Sequence, residues 1–476
     1  MRPPRTPSNR ASVLVGLLWC LALLSLVVIS ILHTSRLDLT VSRHHADRIQ
    51  AHYLALAGLE KAKALLYHDT RERTRSAQNH TGRLYDDSAQ FRDVPLGRGR
   101  FRILRAAFPE EGGGTVFGIA DEERHLNANT ASAEEWSRLP DMPPDIVAAI
   151  LDWRDPDDTV TPGGAEVEHY ASLRPPRLPR NGPFLTVREL LMVRGVTAQA
   201  LLGDDRQFNG LLEPLGAASD EPLDSRTYPG LADLGWAGWL TVDSGVTDRD
   251  ATGQERISLQ SAEESQLTDL PGITADIARA IVAYRNQNRF SSLDQLLDVT
   301  AAPPSGSPAA PSASFDPANL PPGAFPGAQA QTATPQPRGS TGPTGPTLID
   351  ESLLLDIADR LTLSDQSHLA GVVNVNTAPI EVLACLPGMT RELAQAIVSF
   401  RASNGYLANV AWLLRVPGMT RETFRQIAPR VTVRSETFRI LAEGRVDATG
   451  VRRRLQTIVR VGLNDIQTLS YREDDL

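Results

Sequence analysis

From Ser12 to Leu32 the chain carries no charge, and beyond it apolar positions recur at helical spacing through Leu37, Val41, Ile49, Tyr53, Leu56, Leu59 and Leu66. About 20 apolar residues cross a bilayer core as a helix, and a stripe at the helical period is the buried face of an amphipathic one. The pattern predicts one long helix: a transmembrane segment over residues 12–34, then an amphipathic continuation. Arg2, Arg5 and Arg10 precede the apolar run with no acid among them, which sets the N-terminus in the cytoplasm and the bulk of the chain across the membrane. A cleaved secretory signal would have a shorter apolar core and a small-residue cleavage site after it; this stretch has neither.

Period-two alternation marks strands in two places. "GRFRILRAAF" (99–108) and "TVFGIADEE" (115–123) flank Gly112 to Gly114 and read as a hairpin. "RVTVRSETFRILAEGRV" (430–446) and "VRRRLQTIVRVGL" (451–463) form a second pair, with Ala448 to Gly450 as the turn. Helical pattern fills most of the interval. The fold class is therefore α+β, a long N-terminal helix on an antiparallel sheet with a large all-α insertion between its strands.

The insertion repeats. Asn127, Asn129, Pro140 and Arg154 recur 247 residues later as Asn374, Asn376, Pro387 and Arg401. A third copy has Ser258, Gln260, Pro271 and Arg285, 131 residues after the first. Each copy has a second half that opens on an apolar residue (Phe184, Phe290, Leu407) and reaches a leucine pair (Leu190-Leu191, Leu296-Leu297, Leu413-Leu414) six residues on. Such a repeat means stacked copies of one supersecondary unit. Asn127 and Asn374 are placed to cap helices, and Pro387-Gly388 stops one helix and turns into the next.

Units of this kind resemble helix-hairpin-helix modules, some of which grip DNA through a Gly-apolar-Gly hairpin. Here the hairpins read Pro140-Asp-Met-Pro143, Pro271-Gly-Ile-Thr274 and Pro387-Gly-Met-Thr390, so the second glycine is missing each time. The net charge of −9 and pI near 5.6 also oppose a polyanion partner. Arg452 to Arg454 read as charge guarding an exposed strand edge. No nucleic acid is expected to bind. His44 and His45 lie together on the juxtamembrane helix without a third ligand, and Cys20 and Cys385 lack metal or redox spacing. With no phosphate loop and no nucleophile elbow, the chain is not expected to be an enzyme.

"DWRDPDDTVTPGGAEVEHY" follows the first hairpin. It places Asp152, Asp155, Asp157, Asp158 and Glu166 in a turn-rich loop. Carboxylates at this density suit a hard cation such as calcium, or form a solvated acidic turn.

Several of these stretches together resemble the minor pseudopilin K family of type II secretion systems. The likeness rests on Arg10-Ala11 before "SVLVGLLWCLALLS", on "YLALAGLE" (53–60), and on "DWRDPDD", "GGAE" and "NGPF" in that order. It implies a prepilin leader (1–11) cut by prepilin peptidase between Ala11 and Ser12, although Ala11 stands where the family has Gly. Gly16 occupies the fifth mature position, where most pilins carry Glu and pseudopilin K typically does not.

The resemblance further implies bound calcium at the acidic loop. It implies a single-pass inner-membrane protein whose bulk is periplasmic and non-catalytic, at the tip of a pseudopilus with minor pseudopilins I and J and other pseudopilins. The alternatives are a membrane-anchored helix-hairpin-helix receptor for DNA uptake and a minor pilin of a type IV pilus. The expected organisation continues after the membrane span with the pilin-like helix and first strands (35–124) and a first helical domain (125–215). Then come an extra strand segment with a second repeat (216–300), a Pro/Gly-rich linker (301–346), a third repeat (347–429), the last sheet strands (430–464) and a tail (465–476).

Overall fold

The computed structural model describes residues 10–76, 83–107, 111, 114–205, 210–211, 234–301 and 346–473. Helix α1, Arg10–Ser76, is unbroken, as its lack of proline permits. Residues 13–46 of it are exposed, and from Ala51 it packs on a sheet through Ala55, Leu59, Ala62 and Leu66. Gly58 allows the approach: a Cβ there would lie 2.9 Å from the Phe101 ring.

The sheet contains β1 (Val94–Leu96), β2 (Gly99–Ala106), β3 (Thr115–Val116), β4 (Ala120–Asp121), β5 (Thr437–Val446), β6 (Arg452–Val461) and β7 (Ile466–Arg472). Its antiparallel order is β1-β2-β5-β6-β7, with β3 on β2 and β4 on β5. Ile103, Phe438, Ile440, Leu455 and Val459 face α1. Ala51 and Leu54 pack with Val446, so the β5–β6 turn lies at the end nearer the apolar half of α1. The chain leaves the sheet at Asp121 and re-enters at Thr437, both at the opposite end, where Phe438 pairs with Asp121.

Three differences from the expected strands have local causes. The second arm of the first hairpin splits, because Phe117 to Ile119 cross beneath the Tyr85 carbonyl and a Cβ on Gly118 would sit 2.3 Å from that oxygen. The supposed tail contains β7, whose alternation over Ile466–Arg472 pairs it with β6. That pairing makes β6 an interior strand along most of its length, so the edge assigned to Arg452–Arg454 survives only where β6 runs past Arg472.

Each repeat is a closed unit. A two-residue strand opens it and a parallel two-residue strand closes it: Leu126–Asn127 with Leu240–Thr241, Ile257–Ser258 with Leu361–Thr362, and Val373–Asn374 with Val431–Thr432. The repeated arginine is a staple. Arg154 donates to the carbonyls of Ala128 and Ala131, Arg285 to Leu259 and Ala262, and Arg401 to Val375 and Ala378. The second Asn binds the second half of its unit: Asn376 Nδ2 donates to Leu407 O at 3.0 Å, and Oδ1 accepts from Leu407 N at 2.8 Å. Asn129 makes the same pair with Phe184, and Gln260 donates to Phe290 O.

The capping role given to Asn127 and Asn374 is corrected. Their Oδ1 atoms accept from the N–H two residues on, and their Nδ2 atoms donate to Ser244 and Ser435 beyond the closing strands. Ser132, with Glu135, caps the first unit's opening helix instead.

The boundary at 347 also moves. Ile349, Leu354, Ile357 and Leu361 belong to the core of the middle unit, so the Pro-rich stretch is an insertion within that unit rather than a linker after it. Its residues 302–345 lie outside those described, as do residues 212–233 of the 216–256 excursion. The remainder of that excursion includes Gly245–Thr247, which pairs with His368–Ala370.

The first and third units share one core, in which Trp136, Trp153 and Tyr170 join Leu383, Ile397 and Phe424. The middle unit has its own core and is held to the third by Asp294, with Arg421 at 2.8 Å and Arg425 at 2.9 Å. Asn376→Ala would leave Leu407 N and O and Val433 O without their partners. Each buried orphan costs about 1–3 kcal/mol, so the variant is expected to lose about 3 kcal/mol or more in urea unfolding. A loss under about 1 kcal/mol would show that the Asn376 contacts are dispensable.

Candidate metal centre

Helix Pro144–Arg154 ends inside the acidic loop, which places Asp152 in its last turn and Asp155 at its C-cap. Helix Val167–Ala171 starts on the other side with Glu166 as its N-cap residue. These three carboxylates converge: one oxygen from each lies within 4.8 Å of the others. Asp152 is anchored by the Thr161 N–H at 3.2 Å. Glu166 Oε1 and Oε2 and Asp155 Oδ1 are buried and have no hydrogen-bond partner among the described residues.

The backbone is shaped around this cluster. Gly163 has φ +88°, in the left-handed region that favours glycine. Gly164 lies so close to Asp152 that a Cβ there would fall 2.0 Å from Oδ2. Arg194 donates to the carbonyls of Gly163 and Gly164 at 2.9 and 2.8 Å and fixes the turn.

Asp157 and Asp158, the other two carboxylates expected here, point away. Asp157 Oδ1 accepts from Thr159 N and Asp158 Oδ1 from Asn181 Nδ2, both on the exposed side of the loop. Sequence density selects all five equally, whereas the helix end and the Gly163-Gly164 turn gather three. No spacing marks Arg194; its donation to Gly164 O, 30 residues away, is a purely tertiary contact.

Electrostatics agree with the geometry. Burial first, then Asp152, Asp155, Asp158 and Asp157 in that order, pushes the Glu166 carboxyl up to about 7. Burial, with Asp157 and Asp152, also raises Asp155. Orphaned buried oxygens on converging carboxylates fit a hard cation with oxygen ligands. Ala11 and Ser12, the expected processing site, fall in the first turn of α1.

Residues 130–202, which contain this centre, match the family model for type II secretion system protein K. Residues 253–304 and 370–432 match a helix-hairpin-helix motif. Among curated proteins, the endonuclease/exonuclease/phosphatase family domain-containing protein 1 of Homo sapiens is 26% identical over 179 residues, that of Mus musculus 25% over 179, and that of Bos taurus 26% over 180. Each alignment covers 37% of this chain, and the chain spans only 28% of those relatives' length. The solved GspK-GspI-GspJ complex from the enterotoxigenic Escherichia coli type 2 secretion system aligns over 91% of this chain and 99% of that one, at 12% identity and a TM-score of 0.43. The segment around the acidic loop is thus similar to type II secretion system protein K, and two segments beyond it are similar to helix-hairpin-helix motifs.

Proposed function

We propose that this chain is a non-catalytic subunit at the tip of the periplasmic pseudopilus, acting with minor pseudopilins I and J in protein secretion across the outer membrane. The observation that carries the reading is the placement of the helical units. They are spliced between Asp121 and Thr437, at the end of the sheet remote from the apolar half of α1. Their bulk therefore sits where a further subunit would have to stack, which suits a terminal position. In this reading α1 anchors the protein once in the inner membrane with its N-terminus cytoplasmic, after prepilin peptidase cuts between Ala11 and Ser12.

Local geometry weighs against the rival, a DNA receptor. The threonine that replaces the second hairpin glycine caps the following helix. Thr274 accepts from Ile277 N, and Thr390 from Leu393 N. Thr197 and Thr420 do the same in the second hairpins of the first and third units. A phosphate seeking those N–H groups would have to displace the cap. Arg421, the most basic feature of the last hairpin, is spent on Asp294 and Asp298.

We assign calcium to Asp152, Asp155 and Glu166, where it would neutralise the carboxylates and tie the two helices around the loop together. Without it, Glu166 is protonated more readily folded than unfolded. That stabilisation is complete below the ordinary carboxylate range and is lost as pH rises through about 7. The Tm of the full chain in detergent with a chelator is therefore expected to fall between about pH 5 and pH 8, and calcium should flatten the fall. Gly164→Ala should abolish the calcium effect. Identical pH profiles with and without calcium would remove the metal from the reading.

The function itself is tested by analytical ultracentrifugation of the detergent-solubilised chain with minor pseudopilins I and J of its own system, and separately with a DNA duplex at physiological salt. A discrete ternary complex with DNA left free is expected. Salt-sensitive sedimentation with DNA and no complex with the pseudopilins would reverse it.

A further inference from the structure

The end of the sheet nearest the membrane anchor is strongly basic. On the face turned away from α1, Arg100, Arg445 and Arg452 stand directly across three neighbouring strands in register. Like charges directly opposite one another destabilise a sheet unless something relieves them. Arg98, in the β1–β2 turn, and Arg453, on the other face of β6, extend the patch around the same pole. Asp447, in the β5–β6 turn, pairs with Arg100 at 2.7 Å and also interacts with Arg445, which relieves part of this repulsion. The side chains of Arg98, Arg452 and Arg453 have no hydrogen bond or ion pair among the described residues, in a chain whose net charge is −9.

The pole's position selects its partner. Nineteen residues of α1 separate Leu32 from Ala51, about 28 Å along a straight helix. Allowing for the headgroup layer, the patch stands about 20 Å clear of the bilayer surface. Screening at physiological salt acts over about 8 Å, so the membrane is out of reach for these charges. Whatever meets the patch must stand beside α1 and beneath the sheet. Resting on the tip-subunit reading above, we propose that this basic pole docks on an acidic upper rim of the pseudopilin seated directly below, and that this contact orients the tip. Both long faces of the interface would then be specified, apolar along α1 and ionic at the foot of the sheet. Complementary charge of this kind steers encounter and fixes register more than it adds affinity.

The test uses the full chain in detergent micelles and, in parallel, in nanodiscs of anionic phosphatidylglycerol. Arg452→Glu/Arg453→Glu is compared with wild type for binding to pseudopilins I and J across a salt series. Arg452→Ala/Arg453→Ala serves as a milder second variant, and thermal unfolding of each checks the fold. Wild type is expected to associate faster at low salt. The reversal variant should lose about tenfold or more in association rate together with most of the salt dependence, with unfolding unchanged. The alanine variant should fall between them. Rates and salt slopes unchanged in both variants, while wild type still forms the complex, would overturn the surface and leave the tip assignment standing. An effect seen only in anionic nanodiscs and not in micelles would transfer the patch to lipid and overturn the proposal. A wild-type chain that binds neither pseudopilin would remove the tip-subunit reading, and this surface with it.

Discussion

The junction at Asp121, Glu122 and Glu123 carries the architecture, because the sheet and the first and third units are tied together through these three buried carboxylates. Asp121 Oδ2 accepts from Ser435 Oγ at 2.6 Å, from Thr377 Oγ1 at 2.5 Å and from Asn374 Nδ2 at 3.3 Å, which joins the sheet exit to the third unit. Glu122 meets Arg439 of β5 at 2.7 Å and accepts from the Thr241 hydroxyl of the first unit. Glu123 accepts from Gly245 N and Thr437 N. Burial drives the Glu123 carboxyl well above its ordinary range, with Asp121 adding to it. Burial alone would raise Glu122 too, but Arg439 holds it below. Breaking one partner here would strand a charge in the interior, which is far costlier than losing a surface pair.

From that junction the helical insertion is built by one device used three times. A staple arginine reaches back to carbonyls 23 and 26 residues earlier in all three units, and an amide side chain two positions after the opening strand clamps the backbone of the second half. Both are side chains doing what a longer sheet would otherwise do, satisfying backbone groups in segments too short to pair with each other. The middle unit keeps the device with poorer parts. Gln260 replaces Asn, and the Ser258 hydroxyl, buried at the first position, has no hydrogen-bond partner among the described residues. It has a core of its own, and a buried ionic contact through Asp294 fastens it to the third unit. The outer two units instead merge their cores, so the middle one is an addition to a two-unit body rather than a third equal share.

The long helix, the α+β class and the threefold repeat were all legible from local pattern, because period and spacing are properties of neighbouring residues. The strand Ile466–Arg472 was legible in principle, since it alternates, but its polar exposed positions made it resemble a tail until its pairing with β6 was seen. The repeat arithmetic located the arginine and both asparagines without revealing their work. Capping was the local explanation for Asn127, whereas its actual partner, Ser244, lies 117 residues away. At the acidic loop, composition marked five carboxylates, and only the turn at Gly163-Gly164 and the direction of two helix ends separate the three that meet from the two that do not.

Sequence alone therefore determined what each segment is: a membrane-length apolar helix, an antiparallel sheet in two pieces, and copies of a hairpin unit in which threonine or proline replaces the second glycine a phosphate clamp would need. Tertiary structure alone decided where those segments meet. It put the insertion at the end of the sheet remote from the anchor, placed the Pro-rich stretch inside the middle unit, merged two of the three cores, and aligned three arginines across neighbouring strands. The division has one physical reason. Secondary structure follows from periodicities within a few residues, but the joining of the sheet halves and the sharing of cores depend on groups more than a hundred positions apart, the carboxylate convergence depends on how the chain turns between two helix ends, and nothing in local spacing records that these groups touch.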